Sequence, residues 1–171
     1  MIRVEHGFLE DATAEVIVRP IRTDLAPVTP VSRDVLVAAG ESVQERLEKL
    51  GTLPLGGAVM TPAGDLQADF LIHVVVMSED EPQTAVTVQR ALRNGLGRAA
   101  DWGCASLALP PLGLGVGLTE PEVSGEALVE LLWSHIDEGH EPLDLVIVAS
   151  TSYEEELFAG LIAAAERARE G

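Results

Sequence analysis

Basic side chains are scarce in this chain. There are 11 against 28 acidic residues, for a formal net charge of −17, and the only lysine is Lys49. Non-specific binding to DNA or RNA rests on cations placed at phosphates, so nucleic acid is not an expected partner. An anionic membrane surface would be repelled as well. Cysteine occurs once, at Cys104, which excludes an internal disulfide. Its place ahead of an apolar run suits a small buried hydrophobe better than a catalytic thiol, for which no histidine lies nearby in sequence. No apolar run approaches the roughly 20 residues of a membrane span. Met1-Ile2-Arg3-Val4-Glu5 does not open a basic-then-apolar signal segment. No His/Cys/Asp spacing resembles a metal site, and no Ser/His/Asp order suggests a triad. The expectation is therefore a cytoplasmic protein without metal or cofactor.

What is present is apolar and ordered. With 47% hydrophobic residues over 171 positions, the chain reads as one folded domain, residues 1–171. Strands are expected at Ile2–Glu5, Glu15–Arg19, Ala58–Thr61, Phe70–Val76, Ala105–Leu109 and Leu143–Ala149, the second of them stopped by Pro20. Phe70–Val76 is apolar almost throughout, as in a central strand covered on both faces. Helices are expected over Ser32–Leu50, with Gly40 a weak spot and Gly51 a cap, and over Pro82–Gly103, weakened by Gly95 and Gly97. A third should open on a Thr119/Glu122 capping box and bury Val123, Ala127, Leu128, Leu131, Leu132 and Ile136. The last spans Tyr153–Arg169 and turns Leu157, Leu161, Ala165 and Ala168 inward. This alternation implies an α/β fold with helices on both faces of a sheet.

In such sheets ligands sit beyond the carboxyl ends of the strands. The loops to search are Pro20–Pro30, Pro62–Asp65, Pro110–Gly117 and Ser150–Tyr153. Of these, Pro110-Pro111-Leu112-Gly113-Leu114-Gly115-Val116-Gly117 carries the strongest signal. Alternate glycines between a strand and a helix start let main-chain N–H groups approach an anion, usually a phosphate. The plain alternative is a flexible turn without a ligand. The spacing fits neither the dinucleotide fingerprint nor a P-loop. Arg19, Arg22 and Arg33 flank one loop and would fork onto a phosphate or carboxylate, unless ion pairs with Asp24, Asp34 or other acids take them up. His73, amid apolar residues, reads as a satisfied structural histidine rather than a catalytic one. Glu154-Glu155-Glu156 reads as a solvated first helical turn.

Two of these stretches together resemble macro domains. Gly56-Gly57-Ala58-Val59-Met60-Thr61-Pro62-Ala63-Gly64 followed by Ala68-Asp69-Phe70-Leu71-Ile72-His73-Val74-Val75 is similar to that family's strand-turn-strand. Pro110–Gly117, with Pro121 soon after, resembles its glycine-rich phosphate-binding loop. The resemblance implies a three-layer α/β/α sandwich with a mixed central sheet of about six strands, of the kind also described as Appr-1-p processing-like. It implies ADP-ribose or a related phosphorylated molecule as ligand. Gly113, Leu114, Gly115, Val116 and Gly117 would then offer amides to the diphosphate. Ser150 to Tyr153 would border the adenine, with Tyr153 stacked on it, and Phe8 and Leu9 would stand at the start of the site.

The front of the chain departs from the family pattern. Gly7-Phe8-Leu9-Glu10 puts Phe8 where the family's adenine-binding aspartate stands. Arg19-Pro20-Ile21-Arg22 replaces an Asn-Ala-Ala-Asn-like run near the distal ribose, and Leu25–Arg33 contains no glycine. Asparagine offers a donor and an acceptor, whereas arginine offers donors only. Catalysis in the family manner is therefore not expected. Three functions follow in order: a binder of an ADP-ribose-like small molecule; a ligand-free interaction module, expected to be a homo-oligomer; and a hydrolase using Arg19 or Arg22 electrostatically.

Overall fold

Uninterrupted β-branched and leucine-rich runs fix the centre of the molecule. The computed structural model describes residues 1–114 and 120–171. Its strands are β1 (Ile2–His6), β2 (Val16–Arg22), β3 (Ala58–Pro62), β4 (Phe70–Met77), β5 (Ser106–Leu109) and β6 (Asp144–Ala149). They form one sheet in the order β1-β6-β5-β2-β4-β3. All neighbours are parallel except β3, which runs antiparallel to β4 at one edge. The α-helices among the described residues are α1 (Pro30–Ala39), α2 (Glu41–Leu50), α3 (Ala85–Asp101), α4 (Pro121–Asp137) and α5 (Ser152–Glu170).

The pleat sorts side chains onto two cores. Val16 and Val18 of β2 join Leu92, Leu96, Leu132, Phe158 and Ile162 of α3, α4 and α5. Ile17, between them, joins Val35, Ala39, Val43 and Leu47 of α1 and α2 on the other face. The result is a three-layer α/β/α sandwich with a mixed six-stranded sheet.

Several boundaries differ from the sequence reading for identifiable reasons. The strand does not stop at Pro20 but continues to Arg22. Pro20 is paired with Val74 of β4, while pairing with β5 ends at Ile17. Its carbonyl turns to that open side and accepts from Ser32 Oγ at 2.7 Å, so the missing N–H falls where no ladder bond is needed. The expected long helix is two helices broken at Gly40, whose φ is +97°. The turn at residues 63–65 docks against the break, with the Asp65 amide donating to the Ala39 carbonyl at 2.9 Å. On α4, Val123 is exposed rather than inward. Thr119, and with it the expected capping box, lies outside the described residues. On α5 the buried residues are Phe158 and Ile162, with Leu157, Leu161 and Ala165 packed alongside and Ala168 exposed.

Two glycines of this fold should respond in opposite ways to alanine. A Cβ at Gly64, where φ is +62°, would stand 2.2 Å from the Ala39 carbonyl oxygen, whereas one at Gly97 meets nothing within 4 Å. Gly64→Ala should cost about 2–4 kcal/mol, and Gly97→Ala, in the middle of α3, should gain about 0.5–1 kcal/mol. Urea unfolding midpoints of the two variants check both signs.

Candidate functional site

The carboxyl ends of β2, β5 and β6 open into a cavity of about 150 Å³. Its walls come from four segments that leave or flank those strands. Pro20, Val28, Thr29 and Val31 belong to the β2–α1 connection, and Gln83 precedes α3. Pro110 to Leu114 follow β5, and Val148, Ser150 and Glu154 come from β6 and the start of α5. Gly113 has φ +87°, a conformation that side-chain-bearing residues rarely adopt. Among the described residues no hydrogen bond takes up the Gly113 or Leu114 amide.

The β6 side of the cavity is polar. Thr151 caps α5, accepting from the Glu154 amide at 3.1 Å. The Glu154 carboxylate turns back and accepts from both the Ser150 amide and the Ser150 hydroxyl, each at 2.9 Å. This is the reciprocal geometry of a capping box carried one residue further upstream. The solvated first turn expected for residues 154–156 thus needs correcting at Glu154, which is half-buried and lines the cavity. The Thr151-x-x-Glu154 spacing was the signal that could have revealed it. Gln83 carries no local signal, because its place depends on how two loops pack, whereas Val28 and Thr29 fall within the Pro20–Pro30 loop that the sequence singles out.

The β2 side is held by buried hydrogen bonds. Arg19 is fully buried, donating from Nε to the Ser32 carbonyl at 3.0 Å and from a terminal nitrogen to His73 Nδ1 at 2.9 Å. His73 Nε2 lies 2.9 Å from Thr61 Oγ1. Arginine can only donate, so His73 Nδ1 accepts; the ring proton is then on Nε2 and is given to Thr61. Burial pulls the Arg19 pKa down to about 10, so it remains charged at neutral pH. Burial, then the Arg19 charge, push His73 well below its ordinary value of 6.5. Ser32 is bound through three atoms: its amide to Thr29 Oγ1, its hydroxyl to the Pro20 carbonyl and its own carbonyl to Arg19. The start of α1, and the Val28–Val31 wall with it, is thereby fixed to β2.

Of the residues expected at the site, Gly113, Leu114 and Ser150 line the cavity. Gly115, Val116 and Gly117 lie outside the described residues. Arg19 sits among its buried partners and Arg22 forks onto Asp24, and neither is in the cavity lining. The Arg22 guanidinium in turn holds the Asp24 carboxyl below the usual carboxylate range. Arg33 is exposed and pairs with Asp34 at 3.4 Å. Leu9 is buried beneath α1 in the second core, and Phe8 is 70% exposed. Tyr153 is exposed as well and donates from its hydroxyl to Glu122 at 3.4 Å. Cys104 is buried before β5, at the opposite end of the strands from the cavity, and burial raises its thiol pKa. Among the described residues no cluster of His, Cys, Asp and Glu could hold a metal ion. No described helix is long and apolar enough to cross a membrane.

A mixed, mostly parallel α/β/α sheet with its cavity over the carboxyl ends defines the architectural class. The family model that matches is the macro domain, over residues 19–128. An uncharacterised protein of Aquifex aeolicus is 32% identical over 131 residues, covering 75% of this chain and 79% of the relative. A macro domain-containing protein of Listeria monocytogenes serotype 4b is 33% identical over 121 residues, 67% of this chain and 69% of the relative. Among solved structures, the Oceanobacillus iheyensis macrodomain with ADP matches at a TM-score of 0.83, with 18% identity, over 96% of this chain and 90% of that one. The Trypanosoma brucei macrodomain in complex with ADP matches at 0.80, with 17% identity, over 94% and 68%. The chain belongs to the macro domain family.

The buried histidine gives a pH prediction. The fold lowers the His73 pKa, so below the unfolded-state value the unfolded chain binds a proton that the native state refuses. Its contribution to stability is complete above about pH 6.5 and is lost progressively as pH falls below it. By NMR, the His73 ring should stay neutral through pH 6.5. Thr61→Val, which leaves the buried Nε2–H without an acceptor, should cost about 1–3 kcal/mol in urea unfolding.

Proposed function

We propose that the protein binds ADP-ribose or a related phosphorylated nucleotide across the carboxyl ends of β2, β5 and β6. The observation that carries this reading is the Pro110–Leu114 floor of the cavity. There a positive-φ glycine and a neighbouring main-chain amide, not engaged among the described residues, stand after a central strand of a macro domain. Main-chain N–H groups at such a turn supply partial positive charge without a cationic side chain. The hollow is smaller than the roughly 300 Å³ at which ordinary ligand pockets begin, so it suits one part of a nucleotide with the rest on the open cleft. The ADP bound by the Oceanobacillus iheyensis and Trypanosoma brucei macrodomains supports the ligand class.

The reading is binding rather than turnover. Among the described lining residues the one ionisable side chain is Glu154, and its carboxylate is held by Ser150. His73, Arg19 and Arg22 all have protein partners away from the lining. A second reading, a module that has lost its ligand, draws on the same lining, which among the described residues contains no cation to hold a diphosphate.

Calorimetry separates the two. ADP-ribose at millimolar concentration should give saturable heat, and Gly113→Val should weaken binding at least about tenfold by closing the approach and straining the turn. No heat from the folded wild-type protein would leave the ligand-free module. Incubation with an ADP-ribosylated protein should release no ADP-ribose.

A further inference from the structure

Resting on the binding reading above, we propose that Glu154 determines ligand specificity in this cavity. It acts as an internal anion that occupies the Ser150 donors and selects against negative charge on the β6 side. The Ser150 amide and hydroxyl converge on one point, and the Glu154 carboxylate already fills it at 2.9 Å from each. Two converging donors at the start of a helix form a place where a ligand anion would otherwise settle. A phosphate there must displace the carboxylate or lie beside it. Both routes are unfavourable where no described cation lines the wall to offset two like charges.

The same carboxylate accepts hydrogen bonds, so an uncharged group that donates, such as a sugar hydroxyl or a base amino group, is welcome on that side. Charge is then partitioned across the cavity. Phosphate belongs away from the Ser150–Glu154 wall, and neutral, donating groups belong over β6. Both Glu154 and Glu155 stand in the first turn of α5, yet the Glu155 carboxylate faces His6 of β1 at 3.1 Å and is absent from the cavity lining. The effect is therefore a property of one position and not of the acidic run.

A helix cap alone would explain the Glu154 geometry, so the test reads ligand charge rather than stability. Adenosine, AMP and ADP-ribose are titrated calorimetrically into wild type, Glu154→Gln and Glu155→Gln. Glutamine keeps an acceptor for Ser150 and removes the charge; Glu154→Thr repeats the test should the amide upset the helix start. The expected result is an affinity of Glu154→Gln for ADP-ribose about tenfold above wild type. That gain should shrink through AMP to adenosine, and Glu155→Gln should stay within about twofold of wild type. Equal ADP-ribose affinity in wild type and Glu154→Gln overturns the inference and leaves the binding reading standing. An equal gain for adenosine overturns it in favour of released space, and an equal gain in Glu155→Gln overturns it in favour of bulk charge. If none of the folded proteins binds any of the three probes, this inference and the binding reading fall together.

Discussion

The fold around the cleft depends on one buried cation. Arg19 sits in the middle of a central strand without a carboxylate partner among the described residues, held by one main-chain carbonyl and one imidazole nitrogen. A buried guanidinium calls for acceptors, and one of the Arg19 terminal nitrogens has none among the described residues. The burial is worth its cost in free energy because of what Arg19 ties together. Through Ser32 it fixes the first turn of α1 to β2, and through His73 and Thr61 it links three adjacent strands on the α1/α2 face. Thr61, His73 and Arg19 lie on β3, β4 and β2, so one row of polar atoms crosses the antiparallel edge and reaches the sheet's interior. The tautomer of His73 follows from the arginine's inability to accept.

That row decides what the cleft can be. Pro20, next along the strand, lines the cavity, and its carbonyl accepts from the Ser32 hydroxyl. The β2–α1 connection is folded tightly on itself, with Ile21 bridged to Pro27 and Leu25 at φ +75°. This wall is built of Val28, Thr29 and Val31, with Thr29 Oγ1 turned to the helix it caps. The Thr29 and Val31 amides at the start of α1, like those of Gly113 and Leu114, are taken up by no hydrogen bond among the described residues.

Much of the architecture could be read from residue order, because continuous apolar runs and glycine-marked turns are local signals. All six strands and both helical layers follow from them. What could not be read depends on partners distant in sequence. Arg19 and His73 are 54 residues apart, and an arginine at a strand end is ordinarily solvated. Nothing local distinguishes one that is buried. The strand's continuation through Pro20 depends on where β5 stops pairing, which is likewise a tertiary fact. Gly40 was legible as a weak point, but the cause of the break is the 63–65 turn that docks against it. Glu154 is the opposite case, in which the Thr151-x-x-Glu154 spacing is a local signal for the turn of its carboxylate toward Ser150.

The distribution of the few cations completes the physical picture. Arg3 is shared between Glu5 and Asp144, Arg22 is matched by Asp24, Arg33 by Asp34, and Arg169 by Asp137 while lying 4.3 Å over the Trp133 ring. Exposed pairs of this kind add little stability, typically about 0–1 kcal/mol each. Their larger effect is to neutralise these four arginines locally, on a chain whose net charge is already −17. An anionic ligand approaching such a surface gains nothing from long-range steering. Whatever holds it must act at contact range, through amide dipoles whose direction is fixed by backbone conformation. For the ligand proposed above, a carboxylate within the cavity lining acts at that same contact range, which the acidic residues spread over the rest of the surface do not.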